Sequence, residues 1–349
     1  MTGGSYHYNI RMHTQDHNPG RGGEDFQRLI DAKAIERIRL HHMQNIRIKF
    51  HLREAEPIEC SKKIQSDETV AVVFHKRKNV QKATFLENNV IPANLELLAK
   101  QGIKRIIIQT DSSYHSFLLQ KNPSLSDCIE LDNIEDSAAA KGLMYDRVAA
   151  RLNWAGKWRE QNKGHRKGCT DNSRCILFID SDLFLNTNRL LAALALFGVD
   201  PQCYLFYTSS DWQWGINEGL IAFTSSCQQE LVATAYQFFS LIEKIYNNAA
   251  VDKRIQAAWP NPFNWRCGQA ILNAMLPKET VVSYGDILRM EGITIRLLPG
   301  HLYNHIFTPI YNDFYRFAAT YIPSIHLTGV DKKPLMPLAQ HMSASWVQC

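Results

Sequence analysis

One stretch constrains this chain more than any other: Cys175-Ile176-Leu177-Phe178-Ile179-Asp180-Ser181-Asp182-Leu183-Phe184-Leu185. Its apolar residues do not alternate with polar ones, so the run predicts a strand covered on both faces. Two carboxylates where such a strand emerges are costly unless something offsets their desolvation, and a divalent cation is the usual partner. In extended chain, positions i and i+2 point the same way, which lets Asp180 and Asp182 face one ion. The plain alternative is a turn capped by Asp180 with Asp182 in water.

The residues around that strand read as α/β. Thr69 to Phe74 and Lys104 to Thr110 are buried strands, separated by a helix over Asn79 to Gln101 that is interrupted near Pro92 and stopped by Gly102. A helix-like stretch, Ser137 to Glu160, and a basic loop, Lys163 to Lys167, lead into the central strand. Beyond it come a short helix at Arg189 to Phe197 and strands at Cys203 to Thr208 and Leu220 to Phe223. Ser225 or Ser226, with Gln228 or Gln229 three residues on, forms a capping box for a helix running to Asn247. A helix at Gly268 to Leu276 and a strand at Thr294 to Leu298 follow. This alternation predicts an α/β, Rossmann-type mixed and mostly parallel sheet with helices on both faces. Residues 1 to 65 differ: they hold six of the thirteen histidines, a glycine cluster and one predicted helix, Glu24 to Met43. They read as a partly helical N-terminal appendage to a domain over 66–349.

Charge and cysteines narrow the function classes. A net charge of +5 suits an anionic substrate but lacks the dense basic patch of a nucleic-acid binder. None of the eight cysteines forms a C-x-x-C pair or a zinc spacing, and several sit in apolar runs as core residues do, which favours a reducing compartment. Met1 to Ile10 has no apolar signal core, and no stretch approaches the roughly 20 apolar residues of a membrane span. The expectation is a cytoplasmic protein with no nucleic-acid partner.

In open α/β sheets, ligands bind beyond the carboxyl ends of the strands. Three strands here end in polar groups: Phe74-His75-Lys76, Thr110-Asp111-Ser112 and Asp180-Ser181-Asp182. Far along the chain, Ser324-Ile325-His326-Leu327-Thr328-Gly329-Val330-Asp331-Lys332 sets a histidine three residues before a glycine and six before a lysine. Imidazole can complete the coordination of a manganese-like ion held by carboxylates, glycine lets backbone approach a phosphate, and lysine offers it a point charge.

Together, Asp180-Ser181-Asp182 on a buried strand and the later H-x-x-G-x-x-K resemble glycosyltransferases of the GT-A fold, most closely the retaining, glycogenin-like group. Asn217-Glu218-Gly219 is similar to that family's N-x-G segment, and Gly268-Gln269-Ala270-Ile271-Leu272-Asn273 to its D-Q-x-x-x-N helix start, with Gly268 where the family has aspartate. The resemblance implies a hexosyl- or related transferase with a GT-A-like sheet. Asp180, Asp182 and His326 would hold Mn²⁺ or Mg²⁺, and Lys332 and Gly329 would meet the diphosphate of a nucleotide-sugar donor, UDP-sugar being favoured. Phe74, His75 and Asp111 would form the rest of the donor crevice.

The chemistry expected of such a site follows from charge. Arg147 or Arg151, on the helix before the metal strand, could add a cation for the departing diphosphate. Asn217, Glu218 and Gln269 are expected near the sugar centre. Asp211, flanked by Trp212 and Trp214, is expected to bind or activate a saccharide or protein acceptor. Retention is implied by the resemblance, while an inverting enzyme would need Asp211 or Glu218 as base. Two other classes compete. A haloacid-dehalogenase-like phosphohydrolase also uses Asp-x-Asp, but with threonine or serine two residues later, where this chain has Phe184. A non-catalytic sugar-nucleotide-binding module would keep the pair for structure.

Overall fold

A computed structural model describes residues 64–77, 83–134, 143–161, 173–197, 202–210, 213–246, 271–272, 287–304, 323–327, 332–333 and 335–347. The appendage and its predicted helix fall outside the described residues, as does the Gly268 to Leu276 helix except for 271–272.

The core is an eight-stranded sheet. Its strands are β1 (Ile64–Phe74), β2 (Arg105–Thr110), β3 (Ile129–Asn133), β4 (Ser173–Asp180), β6 (Gln202–Ser210), β7 (Gln213–Ser225), β8 (Ile287–Met290) and β9 (Ile293–Pro299). Their order is β3-β2-β1-β4-β7-β6-β9-β8. Strands β3, β2, β1 and β4 run parallel; β7 is antiparallel to both β4 and β6; β9 is parallel to β6. A separate two-stranded ribbon pairs β5 (Leu183–Leu185) with β10 (Ser324–His326). The helices are α1 (Ile91–Lys100), α2 (Ser112–Lys121), α3 (Leu143–Gln161), α4 (Thr187–Ala195), α5 (Gln228–Tyr246), the single turn α6 (Gly300–Tyr303) and α7 (Met336–Ala344).

Why β4 reads as an unbroken apolar run is now plain. Ile176 and Phe178 point to one face, where they pack with Val70 and Val72 of β1, Trp154 and Trp158 of α3, and Phe238 and Phe239 of α5. Phe178 meets Trp154 and Phe239 edge-on at 5.7 and 4.8 Å, the geometry aromatic quadrupoles favour. Cys175, Leu177 and Ile179 point the other way and are fully buried too. Helix α4, which lies against β1, takes no part in the first cluster. The chain is thus α/β, with a mixed, mostly parallel sheet and helices on both faces.

Several elements depart from expectation. Pro92 does not interrupt its helix. Lacking an N–H, it falls in the first turn of α1, and the residues before it, Leu86–Val90, widen into a π turn. Gly102 does stop α1: it adopts φ 88° and donates to Ala99 O, while Ile103 N donates to Leu98 O. Strand β7 is 13 residues long rather than four, because its polar first half is held by pairing with β6 and not by apolar alternation. Ser225 ends β7 and does not open α5, whose first turn closes on Cys227 O; its hydroxyl accepts from Cys227 N at 3.0 Å and donates to Glu230, so the expected capping box with Gln228 or Gln229 does not form. Helix α2 and strand β3 were not expected; β3 buries only Ile129 and Asp132 and exists through its backbone pairing with β2.

Candidate metal centre

The centre is built where β4 leaves the sheet. Asp180 is the last residue of β4, Ser181 and Asp182 form a turn, and the chain enters β5 at once. Ribbon pairing sets His326 opposite Leu183, and Leu327 N donates to Asp182 O at 3.0 Å. A three-residue strand from the end of the chain is thereby clamped against the acidic turn. Buried Asn94, on α1, steadies that turn by donating to Ser181 O at 3.3 Å. Gln101, at the end of α1, does the same for the exit from β5, donating to Leu185 O and accepting from Thr187 N.

Three ligand-type atoms converge. One oxygen of Asp180, one of Asp182 and a ring nitrogen of His326 lie within 4.8 Å of one another. His326 Nε2 is 3.2 Å from Asp182 Oδ1 and 3.6 Å from Asp180 Oδ2.

The orientation of that ring follows from a chain of hydrogen bonds anchored in backbone. Gly219 N donates to Asn217 Oδ1 at 2.8 Å, so that oxygen is an acceptor. Asn304 Nδ2 donates to the same oxygen at 3.0 Å and to Asn217 O at 3.1 Å. Asn304 Oδ1 therefore faces His326 Nδ1, 2.9 Å away, and accepts its proton. In the neutral ring this leaves the Nε2 lone pair aimed at two carboxylate oxygens, an arrangement that a cation between them would satisfy. These residues fit a divalent ion with mixed oxygen and imidazole preference. Gly219 is required for close packing here: a Cβ at that position would lie 2.4 Å from His326 Cε1.

The remaining carboxylate oxygens are held by cations. Lys332 Nζ sits 2.8 Å from Asp182 Oδ2 and also donates to Leu327 O. Burial alone would raise the Asp182 carboxyl, but His326, when its Nε2 carries a proton in place of a cation, and Lys332 outweigh it and hold it well below the usual carboxylate range. Arg147 forks between Asp180 Oδ1 and Glu218 Oε1. Arg151, fully buried behind it, approaches Asp180 Oδ1 at 3.6 Å and Glu218 O at 3.5 Å. Burial and the neighbouring Arg147 push the Arg151 guanidinium down to about 10, whereas Asp180 and Glu218 more than offset burial at Arg147 and raise it.

Other residues singled out from sequence are placed as follows. Phe74 packs with Ile134 and Ala150. His75 is buried and pairs with Glu87 at 3.1 Å. Asp111 caps α2, accepting from Tyr114 N at 2.8 Å and Ser113 Oγ at 2.5 Å. Glu218 is 2% exposed. Asp211, Gln269 and Gly329 lie outside the described residues. Sequence reasoning missed Asn304 altogether and gave Gly219 no task. Asn304 carries no motif, and its role arises only from the fold bringing α6 beside β7 and β10.

No protein-family model and no protein of curated function matches the chain. Among solved structures it is similar to a glycosyltransferase involved in the glycosylation of the major capsid of PBCV-1, at TM-score 0.36 and 10% identity, covering 79% of this chain and 98% of that one. It is also similar to mouse xyloside xylosyltransferase 1 in its apo form, at TM-score 0.41 and 8% identity, covering 75% and 98%. A third similarity is to HddC from Yersinia pseudotuberculosis, at TM-score 0.30 and 11% identity, covering 48% and 79%. Likenesses this faint carry no weight for function, which must be read from the site itself.

Proposed function

We propose that the chain is a divalent-cation-dependent glycosyltransferase of the GT-A kind, drawing its sugar from a nucleoside-diphosphate donor. One observation carries this reading: Asp180 Oδ2, Asp182 Oδ1 and His326 Nε2 converge where a central strand leaves the sheet. Two carboxylate oxygens and one imidazole suit Mn²⁺ better than Mg²⁺, which seldom takes nitrogen. When bound, such an ion acts as a Lewis acid that offsets the charge building on a departing diphosphate.

The chain's own residues do the rest. His326 is fixed by Asn304, so its lone pair needs no reorientation when the ion arrives. Lys332 lies beside Asp182 and supplies a point charge for the same phosphates. Arg147 and Arg151 act on Asp180 and Glu218 in place of meeting the phosphates directly. Retention is the proposed outcome; Glu218, buried and paired with Arg147, is poorly placed as a water-accessible base, which leaves Asp211 as the base an inverting reaction would need. The favoured donor is a UDP-sugar and the acceptor a saccharide or protein. Residues 66–349 carry the donor and cation, and 1–65 recognise the acceptor or a partner. The reading is of a cytoplasmic enzyme; no helix among the described residues is long and apolar enough to cross a membrane.

A panel of nucleotide sugars, assayed for release of nucleoside diphosphate with and without Mn²⁺, tests the reading. Release that depends on Mn²⁺ and stops with chelator supports it. Phosphate release from monoesters, with no attack on sugar nucleotides, would replace it with a phosphohydrolase. Mn²⁺ binding without either activity would leave a binding module.

A further inference from the structure

Resting on the cation reading above, we propose that Glu218 is a positioning residue that acts through Arg147 to set how tightly Asp180 holds the divalent ion. Each carboxylate of the acidic turn has one oxygen tied to basic groups and one facing His326. For Asp182 these are Oδ2, on Lys332, and Oδ1, toward the ring. For Asp180 they are Oδ1, on Arg147 and Arg151, and Oδ2, toward the ring.

Two guanidinium groups beside one carboxylate would repel an incoming cation. Glu218 is what balances them. It takes the second arm of the Arg147 fork through its carboxylate and an Arg151 arm through its carbonyl. Asp180, Asp182 and Glu218 face Arg147, Arg151 and Lys332, so the cluster is neutral before any ion arrives. Removing the Glu218 charge leaves an excess positive charge a few ångströms from the ion's seat, in surroundings that water screens poorly.

The burial of the pair argues against a direct part in chemistry. The Arg147 and Glu218 side chains are 8% and 3% exposed, and no donor or acceptor sugar reaches a carboxylate enclosed in this way. The role that remains is electrostatic and geometric: Glu218 divides Arg147 between two carboxylates, and Asp180 keeps Oδ2 for the ion.

Titration with Mn²⁺ alone, followed by the electron paramagnetic resonance of the free ion, tests this on the full chain. Glu218→Gln keeps the shape and an acceptor for Arg147 but loses the charge, and is expected to weaken Mn²⁺ binding by about tenfold or more. The double variant Arg147→Met with Glu218→Gln restores neutrality, while Arg151 still holds Asp180 Oδ1; it is expected to bind within about threefold of the parent. A single variant that binds Mn²⁺ as the parent does but loses turnover would overturn the proposal and make Glu218 a catalytic group. If the single variant does not fold, the double variant decides: binding as weak as about a tenth of the parent's overturns the proposal. A parent chain that takes up no Mn²⁺ overturns the cation reading and this proposal together, an outcome distinct from equal binding by parent and variant.

Discussion

Asp182 shares its oxygens between His326 and Lys332, and this sharing decides what its loss would do. Asp182→Asn retains an acceptor for Lys332 but gives the ion a neutral and weaker ligand. Cation-dependent donor cleavage is expected to fall more than about a hundredfold, with the far-ultraviolet circular dichroism unchanged; turnover at the parent rate would remove Asp182 from the site. Gly219 acts by absence of bulk. A methyl group there would lie 2.4 Å from His326 Cε1 and 2.9 Å from Asn217 Oδ1. Gly219→Ala is therefore expected to tilt the imidazole, to cut Mn²⁺ affinity by about tenfold and to cost about 1–3 kcal/mol in urea unfolding. Unaltered affinity would mean that the ring has room the packing does not suggest.

Elements explain which parts of the site were legible in sequence. Strand β4 announced itself because both of its faces are covered, and that demands an uninterrupted apolar run ending at its carboxylates. His326 was legible through its spacing to Gly329 and Lys332. The strand that carries it was not: three residues are too few for any periodicity, and β10 exists because Ile325 and Leu327 dock beside Phe184, Met336 and Met342. Likewise Asn217 and Glu218 stood out as polar residues, but the strand under them was legible only from Leu220 onward. Asn304 was invisible, since its contacts are made by elements distant in sequence. The docking of β10 also yields a prediction. Trp346, 3% exposed beyond the end of α7, belongs to the same cluster as Ile325. Trp346→Ala should cost about 3–5 kcal/mol and, by loosening β10, should weaken Mn²⁺ binding as well. Loss of stability with parent-like affinity would show that α7 supports the core but not the centre.

At the scale of the molecule, buried charges among the described residues are paired, and acid exposes the dependence. Glu87 on the π turn is the clearest case. Burial pushes its carboxyl up, but His75 and the Thr84 backbone and hydroxyl outweigh this and bring it down to about 2 from an ordinary 4.5. A carboxyl lowered by folding stabilises the protein fully above its unfolded value, and the contribution drains away as pH falls from about 4.5 toward 2. The contribution is at most about 3 kcal/mol. Denaturant midpoints measured across that interval should fall for the parent and fall less steeply for Glu87→Gln; parallel curves would show that Glu87 is no more strongly held than a surface carboxylate.

The contact between Asp182 and His326 spans 144 residues. During synthesis the acidic turn is made long before its imidazole and ammonium partners leave the ribosome, and until then two carboxylates stand with only the arginines of α3 for company. The proposed centre is thus assembled only once a segment 144 residues downstream of the turn has emerged, and a chain cut between the two could build most of its sheet yet lack the imidazole. Ion capture would therefore report that the strand carrying His326 has docked on the acidic turn.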